Sequence, residues 1–430
     1  MNTITIGFLI SFFLLGCATS SRHQGAQFFE PFQRSLRPPS LSTRGAHTCS
    51  LAKHKTQKGV FEDRAICWGD NSYGQLGRGH EKKVSGGAAF VLTEKNPVEI
   101  CVGYEHSCLL TEDDSVQCFG QGANGRLGDG EKVGRSHPSF VLVKGPSRKK
   151  SGTKLLGVRQ LACGYNHTCA LDKGGSVRCW GYGAGGRLGN GRSRDREFPA
   201  KVLRGKGRRP LLGILQISAG AAHTCALTEK HQVLCWGKGA HGRLGHGKAQ
   251  DQKYPAFVLD RGVPLAKVKS ISAGAAHTCA LMDSGKVKCW GRGSFGRLGH
   301  GKTTDVLHPV EVLAGRERPG PLTGVIHLSA GDNHSCALME AGELMCWGRG
   351  DNGRLGNGTT EDQSYPVTVL AGEGAGPLLN VARVSAGDVH TCALTTEGLI
   401  KCWGTGKGGL LGRKTTEDSF YPISVEWKSF

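Results

Sequence analysis

Short stretches of mixed apolar and polar residues recur along the chain, and glycine-rich turns separate them. Val268–Gly274 and Val287–Trp290 are typical of short β-strands, and so is Tyr254–Leu259. A proline beside the start of the last stretch suits an edge strand, because its nitrogen has no hydrogen to donate to a neighbouring strand. No stretch has a convincing helical period. The pattern therefore predicts units of four short strands.

The four-strand unit occurs seven times. Residues 223–247, 277–301 and 334–358 read HTCALTEKHQVLCWGKGAHGRLGHG, HTCALMDSGKVKCWGRGSFGRLGHG and HSCALMEAGELMCWGRGDNGRLGNG. The copies begin at His47, His106, His167, His223, His277, His334 and His390. The 67 glycines among 430 residues fit a fold with many tight turns. Seven such units predict an all-β fold, a seven-bladed β-propeller of four-stranded antiparallel blades.

The order of motifs within each copy resembles the regulator-of-chromosome-condensation repeat. It consists of His-[Ser/Thr]-x-Ala-Leu, then Val-x-x-Trp-Gly, then Gly-x-Leu-Gly, and it covers residues 41 to 425. The resemblance implies a seven-bladed β-propeller that acts mostly through protein contacts. Members of that family include a nuclear exchange factor for a small GTPase and a secreted bacterial inhibitor of β-lactamase. This chain departs from the family in having arginine for the usual glutamine in five copies, Leu410 in the last, and two added cysteines in each copy.

The added cysteines predict one disulfide within each blade. Six copies place the two cysteines ten residues apart, and the first copy has a longer hairpin. With a turn centred on Lys230, Cys225 and Cys235 lie directly opposite each other on neighbouring strands, within disulfide range. The predicted pairs are Cys49–Cys67, Cys108–Cys118, Cys169–Cys179, Cys225–Cys235, Cys279–Cys289, Cys336–Cys346 and Cys392–Cys402.

Two cysteines remain outside these pairs, apart from one near the N-terminus. Cys101 and Cys163 lie near the ends of the first strands of adjacent units. They either bridge neighbouring blades or stay as free thiols. A zinc site is disfavoured, since each unit offers at most three ligands and opposed strand positions do not form a tetrahedral cage. We predict no metal and no cofactor.

The N-terminal segment is predicted to be an export signal. The apolar run from Ile4 to Leu15 is too short to span a membrane, and it leads into Leu14-Leu15-Gly16-Cys17, which resembles the lipobox of bacterial lipoproteins. We expect a signal peptide at 1–16, a lipidated Cys17 with a flexible tether at 17–43, and the propeller at 44–430. The expected location is the bacterial outer membrane, on its periplasmic side or exposed at the surface. The alternative is a plain secretory signal.

The net charge favours an anionic partner. Lys+Arg number 55 against 35 for Asp+Glu, so the formal net charge is +20. The predicted ligand-binding residues are the five arginines of the Gly-Arg-Leu-Gly loops, which occupy equivalent positions on one face: Arg126, Arg187, Arg243, Arg297 and Arg354. The alternative is that these arginines hydrogen-bond loop backbone. A second cluster is predicted on the opposite face, at Arg148, Lys149, Lys150, Lys154, Arg204, Lys206, Arg208 and Arg209.

Catalysis is not expected. No acid–base pair stands out. We predict that each repeated histidine hydrogen-bonds backbone at the end of its strand and that the repeated tryptophans serve blade packing, with an aromatic binding site as the alternative. Gly296–Thr303 fits a phosphate-binding loop letter for letter but is not followed by a helix. The predicted function is an envelope-anchored binding propeller, monomeric, for a protein or an anionic polymer, with no specific nucleic-acid partner. The alternatives are a structural scaffold or adhesin, a secreted inhibitor-like protein, and a propeller hydrolase or lyase.

Overall fold

Seven sheets of four antiparallel strands make up the protein in a computed structural model. The structure describes residues 40–55, 61–82, 87–145, 152–318 and 320–426. Each sheet takes its four strands from one continuous stretch of chain, in chain order. The predicted fold, a seven-bladed propeller with four-stranded blades, is confirmed.

The first three blades have the following strands. Blade 1 contains β1 (Leu41–Arg44), β2 (His47–Lys55), β3 (Phe61–Gly69) and β4 (Ala89–Phe90). Blade 2 contains β5 (Pro97–Val102), β6 (His106–Thr111), β7 (Val116–Gly120) and β8 (Arg135–Phe140). A small hairpin follows, made of β9 (Leu142–Lys144) and β10 (Gly152–Lys154). Blade 3 contains β11 (Val158–Cys163), β12 (His167–Asp172), β13 (Val177–Gly181) and β14 (Arg196–Lys201).

The remaining blades repeat this layout. Blade 4 contains β15 (Ile214–Ala219), β16 (His223–Thr228), β17 (Val233–Gly237) and β18 (Gln252–Phe257), and a hairpin of β19 (Leu259–Asp260) and β20 (Val263–Pro264) follows it. Blade 5 contains β21 (Val268–Ala273), β22 (His277–Met282), β23 (Val287–Gly291) and β24 (Val306–Glu311). Blade 6 contains β25 (Val325–Ala330), β26 (His334–Met339), β27 (Leu344–Gly348) and β28 (Gln363–Thr368). Blade 7 contains β29 (Val381–Ala386), β30 (His390–Thr395), β31 (Ile400–Gly404) and β32 (Ser419–Ser424).

The alternation of strand direction gives the propeller two distinct faces. The loops after the first and third strands of each blade share one face, which we call the GRLG face after its Gly-Arg-Leu-Gly loops. Single-turn 3-10 helices precede the arginine or Leu410 of these loops at Ala123–Gly125, Ala184–Gly186, Ala240–Gly242, Ser294–Gly296, Asp351–Gly353 and Lys407–Gly409. The turns after the second strands and the connections between blades share the other face, which we call the hairpin face.

The hydrophobic core lies between neighbouring blades rather than within them. One cluster packs Leu227 and Val258 of blade 4 against Ile271 and Trp290 of blade 5. Seven such clusters of buried residues surround the axis. The six tryptophans of the third strands and Phe119, which takes their place in blade 2, are fully buried, as their predicted packing role requires.

The seven predicted cysteine pairs are confirmed at disulfide distance. Cys225 lies opposite Cys235, with Leu227 opposite Val233 one same-face pair closer to the turn. An eighth pair joins Cys101 to Cys163, which resolves the open choice between an interblade bridge and free thiols. This bridge connects β5 of blade 2 to β11 of blade 3, so it is the one disulfide between blades among the described residues.

The repeated histidines connect each blade to the next, in what we call the histidine clasp. The predicted bond to strand backbone is wrong for their Nε2 atoms, which lie 2.6 to 3.0 Å from hydroxyl oxygens of the following blade. The pairs are His47–Ser107, His106–Thr168, His167–Thr224, His223–Thr278, His277–Ser335, His334–Thr391 and His390–Thr48. The last pair closes the ring between blades 7 and 1.

Several predictions concern residues that the structure does not describe. The signal peptide at 1–16, the lipidated Cys17 and the basic residues Arg148, Lys149 and Lys150 lie outside the described residues. The first strand, β1, begins at Leu41, within the segment assigned to the tether. Within the described part of the chain, no helix has the length and apolar character that crossing a membrane requires.

Candidate functional site

The five arginines of the GRLG loops point into the protein. Their exposed fraction does not exceed 7%. Arg297 Nε donates to the carbonyl of Ser294, 2.9 Å away, and its Nη1 donates to the carbonyl of Asp332 in the next blade, also at 2.9 Å. Arg187, Arg243 and Arg354 make the same two kinds of bond. This geometry matches the alternative in which the arginines hold loop backbone.

The backbone of the same arginines also joins blades. The carbonyl of Arg243 accepts hydrogen bonds from Trp290 Nε1 and Thr278 Oγ1 of blade 5, both at 3.0 Å. Burial lowers the pKa of Arg243 and of Arg297 to about 10, so both guanidinium groups still carry their charge at neutral pH. Carbonyl oxygens of the propeller solvate the guanidinium groups enclosed in this way, and Arg126 also pairs with Glu105, so little of these groups is left to contact a partner.

A cluster that the sequence did not reveal closes one end of the central channel. Arg44 ends β1 and extends across the axis, where its Nη1 lies 2.9 Å from the carbonyl of Ala219 and its Nη2 lies 3.1 Å from that of Ala273. The Tyr165 hydroxyl donates to a carboxylate oxygen of Asp332 in blade 6. The cluster therefore links blades 1, 3, 4, 5 and 6 at the GRLG face.

Two carboxyl groups face each other in this axial cluster. Burial, and then the neighbouring Asp388, raise the pKa of Asp332 to about 7. A buried carboxyl beside a second acidic group loses its proton less easily, so Asp332 is partly protonated near neutral pH. Among the described residues, one group of side chains lies close enough together to hold a metal ion. It consists of Cys101, Cys108 and Cys163, and all three are engaged in disulfides.

One sequence signal could have located the axial cluster. The position after glycine in the repeated Gly-x-x-His motif holds Tyr104, Tyr165, Asp332 and Asp388 in four blades and small residues in the others. These loops all converge on the propeller axis. The residue at this position varies between blades while the neighbouring residues repeat. It therefore marks the place near the axis where the blades differ from one another.

The central channel is lined by the first strands of the seven blades. Its volume is about 320 Å³, and Arg44 is part of its wall. Serine hydroxyls along the wall accept backbone N–H groups of the next blade, as Ser218 does from Ala273 and Ser272 does from Ala330, both at 2.9 Å. The channel wall is therefore a second ring of contacts between blades.

A concentration of exposed positive charge lies on the hairpin face, in the connections between consecutive blades from blade 2 to blade 5. We call this set the basic arc, and its exposed residues are Lys144, Lys154, Arg204, Lys206, Arg208, Arg209, Arg261 and Lys267. None of these eight side chains forms an ion pair with a described residue. Five of the positions belong to the predicted second cluster, so part of that cluster is present and exposed.

The densest part of the basic arc is the tip of the connection between blades 3 and 4. The backbone N–H of Arg204 donates to the carbonyl of Arg209 at 2.9 Å, which places the two arginines opposite each other. Like charges in that arrangement destabilise a strand pair. A Cβ atom added at Gly205 or Gly207 would meet no atom within 4 Å, so the tip projects into open solvent. The loop holds unneutralised charge where a partner can reach it.

Comparison with known proteins agrees with this architecture. A model of the RCC1-like domain family matches residues 64–430. The chain is 31% identical over 368 residues to the ultraviolet-B receptor UVR8 of Arabidopsis thaliana, covering 85% of this chain and 78% of the receptor. It is 30% identical over 348 residues to human E3 ubiquitin-protein ligase HERC2, covering 78% of this chain but only 7% of the ligase.

Solved structures show the same fold. Yeast RCC1 (Prp20), in its crystal structure with Kap60, superimposes with a TM-score of 0.70 at 21% identity, covering 96% of this chain and 92% of that one. Human WBSCR16 gives a TM-score of 0.69 at 21% identity, with coverage of 84% and 93%. With seven repeats, seven blades and a family match over most of its length, the chain belongs to the RCC1-like domain family.

Proposed function

We propose that this protein is an interaction propeller that binds an anionic partner through the basic arc. The observation that carries the proposal is the set of exposed cations on three connections, which have no ion-pair partner among the described residues. A surface of one charge sign concentrates oppositely charged partners and accelerates their association. A binding role also agrees with the relatives, since yeast RCC1 was crystallised bound to Kap60.

The sector-wise charge pattern supports a defined binding surface rather than general solubility. The turns after the second strands on the hairpin face carry exposed acidic residues: Glu112, Asp113, Glu229, Asp283, Glu340 and Glu397. In the sector of blades 3 to 5 the cations of the arc outnumber Glu229 and Asp283, whereas the other four acids lie on the turns of blades 2, 6 and 7. Cations spread only for solubility would not concentrate in one sector in this way. The arc can therefore orient a partner as well as attract it.

Neutralising the loop tip tests this proposal. The triple variant Arg204→Gln, Arg208→Gln, Arg209→Gln is expected to elute from immobilised polyphosphate at clearly lower salt than wild type, because fewer counterions are released on binding. The measurement is a salt-gradient elution of the folded protein.

A variant with the same change in net charge on the GRLG face provides the control. Arg192, Arg194 and Lys302 are exposed there, and Arg192→Gln, Arg194→Gln, Lys302→Gln is expected to elute close to wild type. Equal shifts for the two triple variants would mean that net charge, and not the arc, determines retention.

We further propose that the protein is exported and attached to the cell envelope through a lipid on Cys17. The lipobox-like sequence motivates the lipid, and eight disulfides favour an oxidising compartment. Mass spectrometry of the mature N-terminus is expected to show an acylated Cys17 as the first residue. An unmodified N-terminus at another position would rule out the lipid anchor.

A further inference from the structure

Large apolar side chains protrude among the cations of the basic arc. Leu156, Leu212 and Val263 are 58%, 62% and 62% exposed. Leu156 follows Lys154 by two residues, Leu212 follows the tip at 204–209, and Val263 follows Arg261. Leu155 and Leu211, which precede the two exposed leucines, are buried at the blade junctions. Packing of the propeller is therefore satisfied by these residues and does not explain why a second leucine follows each of them.

Exposed cations beside protruding apolar side chains favour one kind of partner surface. A soluble polyanion or an acidic protein loop would be attracted by the cations alone. Cations attract the phosphates of lipid headgroups, and protruding leucines insert between the headgroups into the apolar region below. Exposed leucines interleaved with cations that form no ion pair with a described residue therefore fit a bilayer that carries anionic lipid.

The start of the described chain lies on the same face. In β1, Leu41 pairs with Ser50 and Arg44 pairs with His47, so the turn at Gly45 and Ala46 is on the GRLG face. Ser40, at the other end of the strand, is therefore at the hairpin face. The described chain therefore begins at the face that bears the basic arc.

We propose that the basic arc together with Leu156, Leu212 and Val263 is a docking surface for the anionic headgroups of a membrane. This deepens the proposed function and rests on it, since the same cations are used. The acidic turns of blades 2, 6 and 7 are repelled by such a membrane, so the propeller docks with the sector of blades 3 to 5 rather than with its whole face.

Vesicle sedimentation tests the proposal. The full chain carrying Cys17→Ala removes the acylation site from every arm. We expect it to bind vesicles of phosphatidylcholine with about 30% phosphatidylglycerol, and to leave pure phosphatidylcholine vesicles unbound. In this background Arg204→Gln, Arg208→Gln, Arg209→Gln is expected to weaken vesicle binding roughly 100-fold, at about fivefold per removed cation.

The leucines provide the decisive variant and its control. Leu156→Ser, Leu212→Ser is expected to weaken binding to the anionic vesicles at least about 10-fold, and to leave polyphosphate elution unchanged. Leu379 occupies the equivalent position in blade 7 and is 50% exposed, but no cation of the arc lies beside it. Leu379→Ser is expected to bind the vesicles as wild type does.

The possible outcomes separate this inference from the proposed function. Retention on polyphosphate without vesicle binding, or vesicle binding unaffected by the two leucine changes, would overturn the membrane surface and leave a soluble polyanion or an acidic protein as the partner. Absence of both polyphosphate and vesicle binding would overturn the proposed function itself.

Discussion

Lowering the pH from about 7 to about 5 is expected to destabilise the propeller steeply. Burial lowers the pKa of His47 to about 3 and of His390 to about 4, and it lowers the pKa of the other five clasp histidines well below 6.5. Thr278 Oγ1 donates its hydrogen to the Arg243 carbonyl, so His223 Nε2 must be the donor to Thr278. The Nδ1 atoms of the clasp histidines are buried without a hydrogen-bond partner, so protonation would bury an unpaired N–H and a charge, and the clasp therefore requires neutral rings.

The sign of the pH effect follows from these directions. The stability that the neutral histidines provide is fully present above the unfolded pKa of about 6.5, and it is lost as the pH falls towards the lowered folded pKa values, which are about 3 for His47 and about 4 for His390. Each histidine contributes about 1.4 kcal/mol per pH unit inside this window. The pKa of Asp332 is raised, so this group stabilises the folded state more as the pH falls and acts against the histidines. It is a single group, whereas the clasp contains seven histidines.

Urea unfolding without reductant, followed across this pH range, measures the effect. Unfolding at about pH 5 is expected to take up several protons, and His223→Asn is expected to remove one of them. His137 is exposed in the folded protein and is not part of the clasp, so His137→Asn is the control and is expected to leave the free energy of unfolding close to that of wild type. A free energy of unfolding that stays flat between about pH 7 and 5 would contradict the clasp.

Loss of the interblade disulfide is the second large effect that we expect. Cys101 and Cys163 are 62 residues apart, whereas the cysteines of six blades are 10 apart. In the chain-entropy view a longer closed loop restricts the unfolded chain more, which gives about 4 kcal/mol for this bridge and about 3 kcal/mol for one blade disulfide. Cys101→Ala, Cys163→Ala is therefore expected to lower the free energy of unfolding by about 4 kcal/mol.

The pair Cys225→Ala, Cys235→Ala is the comparison, with a smaller expected loss. Urea midpoints are measured for wild type and both variants, with and without reductant. The comparison separates the effect of losing the disulfide bond from the effect of losing the packing of the sulfur atoms. If Cys101→Ala, Cys163→Ala unfolds at the wild-type midpoint without reductant, the bridge does not restrain the unfolded chain as expected.

The sequence predicts the parts of this structure that repeat. Blade number, strand order and the pairing of Cys225 with Cys235 follow from spacing, because a strand register needs only the turn position. The burial of Arg297 does not follow from spacing, since the preceding single-turn helix and a positive φ at Phe295 decide where the side chain points. The hydrogen-bond partners of the histidines do not follow from spacing either. Their hydroxyl groups belong to the next blade, and spacing within one repeat does not show how neighbouring blades contact each other.

The axial cluster is unpredictable for a different reason. Tyr165 and Asp332 are 167 residues apart, and only closure of the ring brings them together. The basic arc was predicted in part, since its loops are dense in arginine and lysine. The sequence could not show that these cations are exposed while the repeated arginines are buried, because both groups are polar loop residues of the same type.

Hydrogen–deuterium exchange with and without polyphosphate tests most directly which surface binds. The account predicts slower exchange in the connections at 201–213 and 258–268 when the polyanion is bound, with the Gly-Arg-Leu-Gly loops unchanged. Protection confined to those loops, with the two connections exchanging as in the free protein, would contradict the account.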